Sequence, residues 1–205
     1  TMMKRIFATC LLAVAVALGA AAQNAGDVLN KTIAAYKNVK GISASYVVTS
    51  SQGSNSGKIE MKGNMFRITS PDLMCWYDGT TQWAYSTSTG EVNVTEPTAE
   101  EMQMSNPYAA LASMKTSCRV YKAFTQVPGF YTLKMVPKQK SSDIKQILLY
   151  VINGSYRISK AYFEMKDGNT FTTKISDYKV VTLSESTFAF DKSAVPAGTA
   201  VVDLR

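Results

Sequence analysis

Three short stretches of the chain carry residue types that could do catalytic chemistry. Ser142 and Lys145 have the Ser-x-x-Lys spacing of a serine nucleophile beside a lysine base. They open a predicted strand instead of a helix, and no Lys-Thr-Gly motif accompanies them. The stretch from Gly53 to Lys58 resembles a phosphate-binding loop, but it is one residue short and isoleucine follows the lysine. We interpret this stretch as a hairpin turn.

The third stretch is a pair of adjacent carboxylates, Glu100 and Glu101. Adjacent positions on a helix point in different directions, so the two cannot act together on one substrate. Thr98 and Glu101 instead have the spacing of a capping box. The chain has no histidine, which excludes Ser-His-Asp and Cys-His catalysis and histidine-bound metals. The sequence therefore indicates a protein that is not an enzyme.

The N-terminus has the layout of a secretory signal peptide. Lys4 and Arg5 precede an apolar run over residues 6–18, and a small-residue stretch follows over residues 19–22. The run is too short for a membrane-spanning helix, which takes about 20 residues. We predict a cleaved signal peptide over residues 1–22 and a single exported domain over residues 23–205.

The predicted mature chain has a modest positive charge and two cysteines. Loss of Lys4 and Arg5 lowers the formal net charge from +7 to +5. The remaining basic residues are scattered and form no clustered stripe, so we expect no nucleic-acid partner. Cys75 and Cys118 would meet an oxidising compartment after export, and we predict a disulfide between them. A reactive thiol is the weaker alternative, because no histidine is present to activate it.

Hydrophobic periodicity predicts a first helix, a long series of hairpins and one helical insertion. Residues 27–39 have an apolar helical face, and from residue 44 the period changes to two. Asp78-Gly79 predicts a two-residue hairpin turn. The strands pause over residues 97–117, which we predict as two short helical pieces divided at Pro107. About ten antiparallel strands in hairpin order favour a mainly β fold with α: a curved sheet forming an unclosed half β-barrel under a helical lid.

The apolar residues of these elements form the predicted binding site. Aromatic side chains are concentrated on the hairpin around Asp78-Gly79, and methionines are concentrated in the insertion, where flexible thioethers suit varied apolar shapes. For any single aromatic or methionine side chain, filling the core is the ordinary role. A half-barrel interior is difficult to fill completely, so we predict an apolar cavity beneath the helices. Its predicted lining is Leu29, Ile33, Tyr46, Phe66, Trp76, Trp83, Tyr85, Met102, Leu111, Met114, Leu133, Met135, Leu148, Tyr150 and Phe163.

Two short motifs carry a family resemblance. In YDGTTQWAY, an Asp-Gly turn precedes the aromatic pair Trp83 and Tyr85. In FAFDKSAVPAGTAVVDLR, a Phe-x-Phe element precedes Pro, Gly and a valine-rich strand. With the exported leader and the amphipathic first helix, the chain resembles the periplasmic outer-membrane lipoprotein carrier proteins, the LolA-like family. The likeness extends over essentially the whole mature chain.

The resemblance implies a periplasmic, non-enzymatic carrier without a cofactor, whose cavity receives lipoprotein acyl chains. Its implied partners are acylated lipoproteins or lipids, an inner-membrane release complex and an outer-membrane receptor, and we expect a monomer. The family's lid-closing arginine has no clear counterpart here, and Lys62 and Arg67 are the candidates to replace it. The alternative is a lipid-sensing or scaffolding domain of the same fold without carrier activity.

Overall fold

A computed structural model describes residues 24–37, 39–98, 101–102 and 107–205. The helices are α1 (Ala25–Lys37) and α2 (Pro107–Ser117). The strands are β1 (Ile42–Ser50), β2 (Gly53–Lys62), β3 (Met65–Thr69), β4 (Leu73–Tyr77), β5 (Gln82–Ser86), β6 (Glu91–Thr95), β7 (Cys118–Lys122), β8 (Phe130–Pro137), β9 (Ile144–Ile152), β10 (Ile158–Met165), β11 (Thr170–Val180) and β12 (Ala200–Asp203). The predicted signal peptide lies outside the described residues. Within them, no helix is long and apolar enough to cross a membrane.

All twelve strands belong to one sheet that does not close into a barrel, which confirms the predicted fold class. The order is β12-β6-β5-β4-β3-β2-β1-β11-β10-β9-β8-β7. Two runs of hairpins therefore meet where β1 pairs with β11. The pairs are antiparallel except for β12, which lies parallel to β6 at one edge. The sequence prediction missed β7, the other edge strand, because it follows α2 without an intervening turn.

The helix ends follow local capping chemistry. Asn24 caps α1: its side-chain oxygen accepts a hydrogen bond from the Gly26 N–H at 3.1 Å. The predicted capping box is confirmed, since the Thr98 N–H donates to the Glu101 carboxylate at 2.7 Å and the Glu101 N–H donates to the Thr98 hydroxyl at 3.3 Å. Helix α2 begins at Pro107, whose missing N–H costs nothing in the first turn.

The aromatic hairpin turns differently from the prediction. Tyr77 pairs with Gln82, so four residues connect β4 and β5 instead of two. The Asp78 carboxylate accepts hydrogen bonds from the N–H groups of Thr80 at 2.9 Å and Thr81 at 2.8 Å. Aspartate side chains commonly stabilise turns in this way, which explains why a longer loop forms here.

Bulges bend the sheet. The register shifts between Ser43 and Ser45, where β1 pairs with β11, and Asp177 opposite adopts a φ of 51°. Two further shifts occur where β9 pairs with β10. Extra residues in one strand of a pair increase local twist and curvature. The curvature gives the sheet an inner face, which carries the two helices, and an outer face.

Two clusters of buried side chains cover the inner face. The first inner cluster lies beneath α1 and α2 against β7, β8 and β9. The second inner cluster lies on β2, β3 and β4. The first contains Ala25, Val28, Leu29, Leu111, Cys118, Leu133, Met135, Ile147, Leu149 and Val151. The second contains Met61, Phe66, Cys75 and Tyr77, with Met102 packed against it.

A third cluster, the outer cluster, lies on the opposite face of β4, β5 and β6. The C-terminal segment, residues 181–199, covers it before β12 joins the sheet edge. The Phe190 ring meets Trp76 edge-on at 5.4 Å between ring centroids and stacks on Trp83 at 6.4 Å. Tyr85 and Val195 are buried in the same cluster. The aromatic hairpin is therefore part of a structural core beneath the C-terminal segment.

The predicted disulfide between Cys75 and Cys118 is not formed, and both thiols are free. Cys75 belongs to the second inner cluster and Cys118 to the first. Seven strands lie between β4 and β7, because the insertion carries the chain to the far edge of the sheet. Burial raises the pKa of Cys75 to about 12 and also raises that of Cys118, so neither is a reactive thiolate at neutral pH.

Candidate functional site

A small apolar cavity lies on the inner face, between the two inner clusters and beneath both helices. Its volume is about 60 Å³. Leu111 closes it from α2, and Ala44, the smallest side chain in its wall, faces it from β1. The cavity is lined by Tyr36, Ile42, Ala44, Ile59, Met61, Leu111, Ile158, Ile175 and Tyr178. Ligand pockets in proteins typically measure about 300–1,000 Å³, so this closed cavity is much smaller than a typical ligand site.

A second hollow of about 180 Å³ adjoins the cavity at the C-terminal end of α1. The two share Tyr36, Ile42 and Met61 in their walls. The hollow continues toward Gly63 and Asn64 at the turn between β2 and β3. The hollow therefore lies between the wall of the apolar cavity and the exposed β2–β3 turn.

Helix α1 is anchored beside this hollow by Tyr36, whose side chain is partly buried. The Tyr36 hydroxyl accepts a hydrogen bond from the Ile158 N–H at 2.9 Å, and its ring meets Tyr178 edge-on at 6.0 Å. The Arg157 guanidinium lies over the Tyr178 ring at 4.0 Å. Burial raises the pKa of Tyr36 to about 12, so the hydroxyl stays protonated. These contacts hold α1 on the sheet at its C-terminal end.

Helix α2 is attached at its C-terminal end and covers the cavity with its middle. The Lys138 N–H donates to the Ser117 carbonyl at 2.8 Å, and Lys138 Nζ donates to the Thr116 carbonyl at 2.7 Å. Within the two preceding turns, Leu111 belongs to the first inner cluster and Met114 packs against it. Because apolar packing has no fixed direction, this part of α2 can be displaced at lower cost than its hydrogen-bonded end.

Tyr46 lies further along the inner face, against a glycine that gives it space. A Cβ atom at Gly57 would lie 2.6 Å from the Tyr46 hydroxyl and 2.3 Å from the Thr69 carbonyl oxygen. Only glycine permits this approach. Burial raises the pKa of Tyr46, partly offset by its hydrogen bond with Ser70. The ring therefore extends the apolar inner surface across β2.

Ten of the fifteen predicted lining residues lie on the inner face or on the segments packed against it. Leu111 is the one that lines the cavity itself. The ten are Leu29, Ile33, Tyr46, Phe66, Met102, Leu111, Met114, Leu133, Met135 and Phe163. The prediction missed two residues that line the cavity, Tyr36 and Ala44. The signal for Tyr36 was its place on the apolar face of α1. The signal for Ala44 was its alternation with outward-facing serines along β1.

Five predicted lining residues lie on the outer face, and their placement in the cavity was wrong. Trp76, Trp83 and Tyr85 belong to the outer cluster. Leu148 and Tyr150 alternate with the buried Ile147, Leu149 and Val151 of β9 and so face outward. Lys160 Nζ lies 3.8 Å from the centre of the Tyr150 ring. Strand β9 is apolar at consecutive positions, so its pattern does not reveal which face is buried.

The two candidates for a lid-closing cation also lie on the outer face. Arg67 pairs with Trp76 across the strands, and Lys62 shares the outward orientation of Glu60. The Arg67 guanidinium bonds the Glu60 carboxylate, with Nε at 2.8 Å, and Lys58 Nζ adds a contact at 2.9 Å. Neither candidate faces α1 or α2, so neither serves as the predicted lid-closing residue.

The Glu60 cluster leads to a prediction about pH. Burial opposes ionisation of the Glu60 carboxylate, but the hydrogen bonds from Lys58 and Arg67 outweigh it and lower its pKa. A lowered folded-state pKa stabilises the protein above the unfolded pKa of about 4.3, and this stabilisation is lost as pH falls through the folded value. We expect Glu60→Gln to lower the free energy of unfolding by about 1–3 kcal/mol at pH 7.

Urea unfolding at pH 7 and pH 3 measures this difference. The gap between wild type and Glu60→Gln should narrow at pH 3, because the contribution of the Glu60 carboxylate to stability declines as pH falls below its unfolded pKa. Glu91→Gln, at an exposed position on β6, is the control and should change little. Equal unfolding free energies for wild type and Glu60→Gln at pH 7 would contradict the prediction.

The stretches with catalytic residue types have structural roles. Lys145 Nζ forms an ion pair with Glu164 at 2.6 Å, while the Ser142 hydroxyl accepts a hydrogen bond from the Ile144 N–H at 3.2 Å. Gly53 begins β2, and Lys58 is engaged with Glu60. Among the described residues, no group of three or more His, Cys, Asp or Glu side chains could hold a metal ion. The apolar cavity is the candidate site because its lining is predominantly apolar and includes residues of both helices.

Comparisons with known proteins identify a family and several structures that this chain resembles. Residues 16–169 match the family model described as "Outer membrane lipoprotein carrier protein LolA". An uncharacterized conserved protein from Thermus thermophilus has a similar fold, with a TM-score of 0.61 and 12% identity, covering 86% of this chain and 97% of that one. No curated protein sequence matches.

Two further solved structures are more distant. A LolA superfamily protein from Nitrosomonas europaea has a TM-score of 0.45 at 14% identity, covering 82% of this chain and 98% of the other. A putative outer membrane lipoprotein-sorting protein domain from Vibrio parahaemolyticus has a TM-score of 0.42 at 12% identity, with coverages of 80% and 95%.

Proposed function

The chain belongs to the outer membrane lipoprotein carrier protein LolA family, and from this premise we propose that it is a non-enzymatic periplasmic carrier of acylated lipoproteins. The supporting observation is the apolar cavity beneath α1 and α2, with an adjoining hollow that extends to the β2–β3 turn. On this proposal, donor and receptor complexes in the inner and outer membranes are its partners.

The closed cavity determines how such a carrier would load. A volume of about 60 Å³ holds little of an acyl chain, so loading requires Leu111 and its neighbours on α2 to move away from the sheet. Burial of each methylene group from water contributes about 0.8 kcal/mol. An acyl chain that moves directly between a bilayer and an apolar cavity gains little free energy, because both surroundings are apolar.

This near balance provides a means of release. The acyl chain and the helices compete for the same inner surface, where Leu29 and Leu111 are almost fully buried in the closed form. When the helices close, their own apolar burial offsets the loss of ligand contacts. The carrier would then hold the acyl chains much more favourably than water does, and would still release them to a receptor.

Filling the cavity tests the proposal. Ala44→Leu adds three carbon atoms inside the cavity, whereas Ser45→Leu adds similar bulk on the outer face of the same strand. We expect Ala44→Leu to lower the affinity for a fluorescent fatty acid severalfold, since it occupies the ligand's space. Ser45→Leu should leave that affinity unchanged.

Cargo is tested separately, by capturing proteins from envelope extract and identifying them by mass spectrometry. Wild type should recover lipoproteins whose capture requires their acyl chains, and Ala44→Leu should recover fewer. Fatty-acid binding without lipoprotein capture would reject carriage and favour a lipid-sensing domain. Equal fatty-acid affinity for wild type and Ala44→Leu would contradict the cavity as the site.

A further inference from the structure

One loop of the protein presents a fully exposed aromatic side chain. Phe124, in the β7–β8 loop (residues 123–129), has a relative exposure of 105%, and Val127 in the same loop is 36% exposed. Ile152 on the neighbouring hairpin and Tyr121 on β7 are also exposed, at 38% and 48%. Exposed apolar side chains grouped at one end of a sheet mark an interaction surface.

Hydrogen bonds connect the β7–β8 loop to the neighbouring strands. The Gln126 side-chain amide donates to the carbonyls of Ala123 at 2.7 Å and Thr132 at 3.1 Å. The Phe130 N–H donates to the Val127 carbonyl at 3.0 Å, and the Asn153 N–H of the adjacent hairpin donates to the Gly129 carbonyl at 3.0 Å. The loop therefore presents Phe124 in solvent from an ordered base.

Basic side chains border this apolar tip. Lys122 ends β7 directly before the loop, and Lys31 of α1 reaches Tyr156 at the same end of the sheet, with Nζ 3.3 Å from the hydroxyl. Asp27 in the first turn of α1 is the opposing carboxylate on that helix. An apolar tip with lysines at its base matches the interface of an anionic bilayer, where rings enter the acyl boundary and ammonium groups meet the headgroups.

We propose that the β7–β8 loop docks the protein on an anionic phospholipid surface, with Phe124 and Val127 inserted and Lys122 at the headgroups. A protein partner fits less well, because stable protein interfaces bury about 1,200–2,000 Å² and this tip has few exposed apolar side chains. A bilayer needs no matching surface. The proposal does not depend on acyl binding in the cavity, since the loop lies outside the cavity lining.

Sedimentation with vesicles tests the docking. Wild type should sediment with phosphatidylglycerol–phosphatidylethanolamine vesicles and much less with phosphatidylcholine vesicles. Phe124→Ser should lower partitioning about tenfold through lost apolar burial, and Lys122→Gln about fivefold through lost attraction to the anionic surface. Leu204→Ser removes an exposed leucine, 59% exposed, next to β12 at the opposite edge of the sheet and should have no effect.

A second measurement uses a new fluorophore. In Phe124→Trp the added indole is exposed in solution, and its emission should shift to shorter wavelength with phosphatidylglycerol-containing vesicles. The proposal is overturned if this emission does not shift, if Phe124→Ser sediments like wild type, or if phosphatidylcholine vesicles bind equally well. Absence of sedimentation with either vesicle type would also overturn it and assign Phe124 to a protein contact.

Discussion

Replacing Trp76 with alanine is expected to lower the free energy of unfolding by about 3–5 kcal/mol, the usual cost of removing a large buried aromatic side chain. Trp76 is 2% exposed and packs between Arg67 and Trp83 on the sheet, with Phe190 edge-on above it. Its loss would leave a void beneath the C-terminal segment. Urea denaturation followed by circular dichroism measures the effect.

The same position distinguishes the two faces of the aromatic hairpin. Trp76 lies on the outer face, so the milder substitution Trp76→Phe should destabilise the protein without changing its affinity for a fluorescent fatty acid. Leu73→Ala, on the same strand at a position 38% exposed, is the matched control and should cost under about 0.5 kcal/mol. Loss of fatty-acid binding by folded Trp76→Phe would place the indole in the ligand site after all.

Replacing Leu111 with alanine is expected to change stability and ligand affinity in opposite directions. Leu111 is 4% exposed, belongs to the first inner cluster and closes the cavity. Its truncation should cost about 2–5 kcal/mol of unfolding free energy. The closed form loses this packing, so the open form becomes more populated and the apparent fatty-acid affinity should rise about tenfold.

Thermal unfolding and probe titration on the same samples measure both changes. Lys115→Ala, at an exposed position on the same helix, should alter neither quantity appreciably. If the fatty-acid affinity and the free energy of unfolding both fall, Leu111 is an ordinary core residue or a direct ligand contact. In that case α2 would not compete with the ligand for the inner face.

Local sequence signals determined most of the elements. The apolar face of α1 and the capping box at Thr98 and Glu101 agree with the structure, because each depends on residues close together in the chain. The missing histidine also excluded whole classes of catalytic site from composition alone. Even Asp78-Gly79 marked the correct turn, although its hydrogen bonds lengthened it.

Only the tertiary structure decided which face of each strand meets which partner. On the aromatic hairpin, alternate residues are buried on both sides: Cys75 and Tyr77 face inward, while Trp76 and Tyr85 face the C-terminal segment. An apolar pattern on both faces carries no information about which one borders a cavity. That depends on a segment about a hundred residues later in the chain and on bulges that bend the sheet. The cavity, the free cysteines and the buried hairpin all follow from these long-range contacts, because strand alternation specifies two faces but not what covers each of them.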